Sequence, residues 1–128
     1  MQEQDLSQYD ILIVDDVPVN QVLVEKMLER FHFTVRKAGN GLEAMREIIA
    51  KKPDLVLLDL IMPLMDGFEV LEYVQRDPAL RDVKVIVLSA LNTNDDIVRA
   101  YNAGARDFIT KPILYGKLLN SVSKQLGL

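Results

Sequence analysis

Residues 53–67 read PDLVLLDLIMPLMDG. The run from Leu55 to Leu58 is wholly apolar, Asp59 follows it directly, and Leu60 comes next. An uninterrupted apolar run of this length fits a strand covered on both faces, as in a parallel sheet flanked by helices. A carboxylate set among side chains that leave water is costly. Asp59 is therefore expected at a strand's open end, and its presence there requires a function.

Working outward, the same alternation of short apolar runs and longer amphipathic ones recurs along the chain. YDILIV (9–14) is followed by Pro18 and then by Val19, Val22, Leu23, Met27, Leu28 and Phe31 at helical spacing, with proline in the first turn. FTVRKA (33–38) precedes a helix carrying Leu42, Met45, Ile48 and Ile49. DLVLLD (54–59) precedes one carrying Phe68, Leu71 and Val74 after the turn-forming pair Asp66-Gly67. VKVIVLS (83–89) leads to a helix with Ile97, Ala100 and Tyr101, and RDFIT (106–110) to a last helix with Leu118, Leu119, Val122 and Leu126. Five βα units in succession predict an α/β, doubly wound fold with a parallel five-stranded sheet and helices on both faces. The first, third and fourth runs are apolar apart from Asp10, Asp54 and Lys84 near their starts and the polar residues that close them, whereas the second and fifth carry Arg36, Lys37, Arg106 and Asp107, which marks them as edges. The order 2-1-3-4-5 satisfies this, a flavodoxin-like arrangement with its switch point between the first and third strands. RDPALRDV (76–83) reads as a surface loop between helix and strand.

The chain has 128 residues, of which 49% are hydrophobic, so it suits one compact domain, 1–128 with a core of about 9–126. A net charge of −4 offers no field that would draw in nucleic acid or an anionic membrane. With no cysteine, a disulfide framework and a thiolate metal site are both excluded. MQEQDLSQYD has neither the basic flank nor the apolar centre of a signal peptide, and no apolar run approaches the length that spans a bilayer, so a cytoplasmic location is expected.

In a parallel sheet every carboxyl end opens on one edge, and ligands bind there. Asp15 and Asp16 follow the first strand, Asp59 the third, Ser89 and Ala90 the fourth, and Lys111 and Pro112 the fifth. Carboxylates ~4 to 5 Å apart at an effective dielectric near 20 repel by roughly 3 to 4 kcal/mol per pair, so a cation is implied. Oxygen ligands without histidine or thiolate suit Mg²⁺ or Mn²⁺, which readily share a phosphoryl oxygen. Lys111 adds positive charge, Ser89 a hydroxyl donor, and Asp59 a nucleophile able to form an acyl phosphate.

With ILIVDD, LLDLIMPLMDG, VLSA and AGARDFITKP in this order, the sequence resembles the receiver domains of two-component response regulators, the CheY-like superfamily, from about Tyr9 to Leu126. The resemblance implies that Asp59 accepts a phosphoryl group from a sensor histidine kinase or histidine phosphotransfer protein. It makes Asp16 a direct Mg²⁺ ligand, Asp15 a ligand through water, and the backbone carbonyl of Ile61 a further ligand beside Asp59. Ser89 matches the hydroxyl residue drawn toward the phosphoryl group, Ala90 the small residue that leaves room for it, and Lys111 the lysine that pairs with its oxygens, with a cis Lys111-Pro112 bond. Phe108 matches the switch aromatic, more often tyrosine; without the phenol hydroxyl, its switching rests on burial. The output face implied is the fourth helix, fifth strand and fifth helix, toward a downstream output domain or protein, and an apolar strip there would support a phosphorylation-dependent homodimer. Neither direct nucleic-acid binding nor a membrane is expected, nor is turnover as an enzyme, since the chain would only assist its own phosphorylation and dephosphorylation. Ile61 and Leu91 are apolar where some relatives orient a hydrolytic water, which predicts a phosphoryl group lasting minutes or more.

Plainer readings exist for single residues. Asp15 and Asp16 would serve as caps for the helix near Pro18, Ser89 as a helix cap, and Lys111 as a solvated lysine. His32 reads as a surface residue, Met62 and Met65 as loop and core packing, and Asp95 and Asp96 as acids in a first helical turn. Among other functions, an aspartyl phosphatase would want an acid at Ile61, and a flavin carrier would want phosphate donors where Asp15 and Asp16 stand. A receiver-like adaptor that binds partners without being phosphorylated is the remaining alternative.

Overall fold

The computed structural model describes residues 5–128; the first four residues of the polar N-terminal stretch lie outside the described residues. Strands β1 (Asp10–Val14), β2 (Thr34–Ala38), β3 (Leu55–Leu58), β4 (Lys84–Ser89) and β5 (Asp107–Thr110) alternate with helices α1 (Pro18–Leu28), α2 (Gly41–Ala50), α3 (Gly67–Arg76), α4 (Asn94–Asn102) and α5 (Tyr115–Leu126). The sheet is parallel with the order β2-β1-β3-β4-β5, as the apolar and charged runs predict. Among the described residues no helix is long and apolar enough to cross a membrane.

Strand side chains alternate between two cores. Leu12, Val14, Val56, Leu58, Val85 and Val87 point toward α2, α3 and α4. Ile11, Ile13, Leu55, Leu57, Ile86 and Leu88 point toward α1 and α5. Complete burial of a side chain such as Ile48 or Leu118 contributes about 1.5–3 kcal/mol, and this two-sided burial holds the sheet. Met62 is buried and Met65 partly so, both in packing roles, and Leu80 and Val83 anchor the turn at 76–83.

Three helices differ from the pattern read in sequence. On α1 the buried residues are Val24 and Leu28, while Val19, Val22 and Leu23 are exposed. At ~100° per residue Val19 and Val22 stand roughly 140–160° from Val24, so the helix carries two apolar stripes and only one meets the sheet. The first helix ends at Leu28, and Phe31 is buried from a following 3₁₀ turn, Glu29–Phe31, closed by the exposed His32 at φ 59°. On α2, Leu42 and Ile49 lie on an exposed flank beside buried Ala44, Met45 and Ile48, and on α4 Tyr101 is exposed while Ala100 is buried.

The charged edge strand β2 is also more than a solvated rim. Arg36 Nε lies 3.0 Å from Asp10 Oδ1, its Nη1 donates to the Glu47 carbonyl and carboxylate, and its Nη2 donates to the Lys51 carbonyl. Asp10 is buried, with Lys51 Nζ 3.5 Å from its Oδ2. This network joins the start of β1 to the end of α2.

Candidate functional site

Strands β1, β3, β4 and β5 end at polar residues on the carboxyl edge of the sheet. After β1, the Asp15 Oδ1 accepts from the Val17 amide at 2.9 Å, forming a turn that ends the strand. The residue flanking α1 is Val17, which makes no side-chain cap, so Asp15 and Asp16 do not cap that helix. Gln21 braces the turn from α1, its Nε2 donating to the carbonyls of Asp15 and Ala38. After β3, Asp59 Oδ1 accepts from the Ile61 amide at 3.3 Å. Ser89, fully buried, accepts from the Leu91 amide at 3.1 Å through its Oγ; Thr93 caps α4, and Asp95 and Asp96 occupy that helix's first turn.

The loop after β3 is drawn tightly against the sheet. Asp66 and Glu69 form a capping box at the start of α3. A Cβ on Gly67 would lie 2.4 Å from the Asp59 carbonyl oxygen, so only glycine lets the helix approach the strand end this closely. Leu64 in this loop is 75% exposed and held at φ 68°, in the left-handed region that leucine rarely adopts.

These turns bring the expected residues together. Carboxylate oxygens of Asp15, Asp16 and Asp59 lie within 4.8 Å of one another. Lys111 Nζ reaches in from beyond β5, 2.9 Å from Asp15 Oδ2 and 3.3 Å from Asp59 Oδ2. Its backbone amide donates to the Ser89 carbonyl at 2.8 Å, which ties the end of β5 to that of β4, and the Lys111-Pro112 bond is cis. Asp15 and Asp59 are buried whereas Asp16 is exposed, so the cluster opens to solvent on one side. Beside it an apolar groove of about 440 Å³ runs between α1 and the segment after β5, lined by Leu23, Val24, Met27 and Ile113 among others.

Burial raises the Asp59 carboxyl above its ordinary pKa, and the Lys111 charge and the Ile61 amide oppose that shift without cancelling it. Burial also works against the Lys111 ammonium, but its hydrogen bonds and charge pairing with Asp15 and Asp59 outweigh burial and raise its pKa. Three carboxylates against one ammonium leave an excess of negative charge, and the donors are all oxygens. That donor set fits a hard divalent cation such as Mg²⁺.

Ala90 is exposed just past Ser89, Ile61 is exposed past Asp59, and Leu91 is partly buried. Phe108 sits on β5, away from the carboxylates, packed against the core beneath α2, α3 and α4. Sequence reasoning passed over Gln21, whose amide spacing from Asp15 carries no motif, and Asp107, which it took only as a mark of an edge strand.

The family model for the response regulator receiver domain matches residues 11–123. Chemotaxis protein CheY of Listeria monocytogenes is 38% identical over 116 residues, covering 89% of this chain and 95% of that protein. Response regulator PleD of Caulobacter vibrioides is 39% identical over 103 residues, 80% of this chain but 23% of that protein. The DNA-binding dual master transcriptional regulator RpaA of a Synechocystis strain is 36% identical, and the match spans 46% of its length. This chain thus spans less than half of the last two relatives. Among solved structures, the signal receiver domain of a signal transduction histidine kinase from Syntrophus aciditrophicus superposes with a TM-score of 0.86 at 36% identity, covering 93% of this chain and 90% of that one. The fold, the carboxylate cluster and these matches agree: the chain belongs to the response regulator receiver domain family of two-component signalling.

Proposed function

We propose that this chain, read as a single receiver domain over 1–128, takes a phosphoryl group onto Asp59 from a phosphohistidine donor, with Mg²⁺ bound beside it. The single observation that supports this most strongly is the convergence of Asp15, Asp16 and Asp59 within 4.8 Å, with Lys111 bridging Asp15 and Asp59. An oxygen of Asp59 attacks phosphorus, an O–P bond forms, and the N–P bond of the donor breaks with its electron pair returning to the imidazole. Lys111 pairs with the phosphoryl oxygens, the Ser89 hydroxyl donates to them, and Ala90 leaves space. Asp16 and, through water, Asp15 would hold the metal together with Asp59 and the Ile61 carbonyl. When bound, Mg²⁺ screens the negative charge gathered there.

The charge change is passed to the face made by α4, β5 and α5 through Ser89 and Phe108, a two-state element whose populations phosphorylation shifts. Partners are a sensor histidine kinase or histidine phosphotransfer protein upstream and an output domain or protein downstream. Val98 and Tyr101, exposed on α4, are an apolar strip of the kind a phosphorylation-dependent homodimer would use. The chain acts in the cytoplasm as a signal carrier and not as an enzyme with turnover.

Mass measurement after treatment with acetyl phosphate, with and without Mg²⁺, tests this. One phosphate added only with the metal, and none in Asp59→Ala, is the expected result; no addition under any condition would favour an adaptor that works by binding alone.

A further inference from the structure

Strand β5 is an edge of the sheet, and its open side should expose every second amide. The Lys111 amide donates to the Ser89 carbonyl of β4, so by alternation the Phe108 and Thr110 amides turn to the open side. The Phe108 amide is nonetheless satisfied, because Asp107 Oδ1 accepts from it at 2.8 Å. The same carboxylate reaches two helices. Tyr101 Oη on α4 donates to Oδ1 at 3.3 Å, and Ser121 Oγ on α5 donates to Oδ2 at 2.5 Å. Ala100 of α4 belongs to one core and Leu118 and Val122 of α5 to the other, so these helices cover opposite faces of the sheet. A side chain at the edge can bridge them where one in a central strand cannot. Ser121 is buried and Asp107 partly so, hence the carboxylate is largely committed to these donors. Lys117 and Lys124 line the adjoining groove with Asp107.

We propose that Asp107 is a positioning residue, a clasp whose hydrogen bonds to Tyr101, Ser121 and the Phe108 amide hold α4, α5 and the Phe108 ring in one arrangement. Any inward movement of Phe108 has to proceed against this clasp. That such movement carries a signal rests on the receiver chemistry proposed above, whereas the clasp stands on its own contacts.

Amide hydrogen exchange followed by NMR in the full chain tests it. In the wild type the Phe108 amide exchanges more slowly than that of Thr110, although both face the open edge. Ser121→Ala and Tyr101→Phe speed exchange at Phe108 roughly tenfold or more, the equivalent of a charge-assisted hydrogen bond, while Ile109, bonded into the ladder, is unchanged. Ser121→Thr restores protection. With 4-fluorophenylalanine at the four phenylalanine positions, the Phe108 fluorine signal, assigned by its loss in Phe108→Leu, moves in the same variants. Equal exchange of Phe108 and Thr110 in the wild type, or equal acceleration of Phe108 and Ile109 in the variants, overturns the clasp. Phosphate uptake from acetyl phosphate by the same samples separates the two ideas. A protected Phe108 in a chain that takes no phosphate sinks the acceptor reading alone; uptake with an unprotected Phe108 sinks the clasp alone.

Discussion

Replacing Asp59 with asparagine should stabilise the protein in Mg²⁺-free buffer at neutral pH. At an effective dielectric near 20, Lys111 at 3.3 Å attracts the Asp59 charge by about 5 kcal/mol. Asp15, within 4.8 Å, repels it by about 3 to 4 kcal/mol, and exposed Asp16 adds a weaker, screened repulsion. These terms nearly cancel, so the desolvation of a carboxylate only 8% exposed decides the sign and makes the ionised form unfavourable. The raised pKa of Asp59 has the same cause. Asparagine keeps the shape and removes the charge, for an expected gain of about 1–2 kcal/mol, or roughly 3–8 °C in Tm. The folded-state pKa lies above the unfolded one, so the folded form holds the proton more tightly. Ionisation therefore lowers stability progressively as pH rises from about 4 through the raised pKa, and the penalty is complete above it. The advantage of the variant should be full at pH 7 and shrink toward nothing as pH falls to about 4. Thermal unfolding by circular dichroism in EDTA across that range measures it. A lower Tm for Asp59→Asn at pH 7, or a gain independent of pH, would refute this balance of terms.

Lys111→Met should act in the opposite sense, costing about 2–4 kcal/mol in the same assay by leaving Asp15 and Asp59 facing each other without a cation; an unchanged Tm would show that the ammonium is not what holds them. Leu64→Asn should stabilise by roughly 0.5–1 kcal/mol in urea unfolding, since it relieves the left-handed backbone and buries no less apolar surface; destabilisation would contradict the strain. Arg36→Ala should cost about 3 kcal/mol because Asp10 is left buried, whereas Lys26→Ala, which breaks an ion pair more than 60% exposed on both sides, should cost under ~0.5 kcal/mol; similar losses would mean that burial does not set the value of these pairs. Phosphoryl loss from phosphorylated protein, followed by mass, should take minutes or more, because Ile61 and Leu91 offer no polar group to a hydrolytic water; loss within seconds would remove that inference.

The sequence by itself determined the fold and which strand ends meet at one edge of the sheet. Apolar runs ending in Asp15, Asp59 and Ser89 mark strands buried on both faces, and a parallel sheet then obliges their polar ends to share one edge. Strand order was legible because Arg36 and Lys37 fall in the middle of the second run and Arg106 and Asp107 open the fifth, whereas the central strands carry charge only at their first residues, Asp10 and Lys84. What periodicity could not tell was which of two apolar stripes on α1 faces inward, since Val19, Val22 and Leu23 are spaced as well as Val24, Leu28 and Phe31; the neighbouring sheet selects one. Tertiary structure also decided what the edge charges do. Arg36 gathers Asp10, Glu47 and the end of α2, and Asp107 joins α4 to α5. Hydrophobic pattern is a property of near neighbours in the chain. The partner of a charge is chosen by whatever distant segment the fold brings within about 3 Å of it, and no local spacing encodes that.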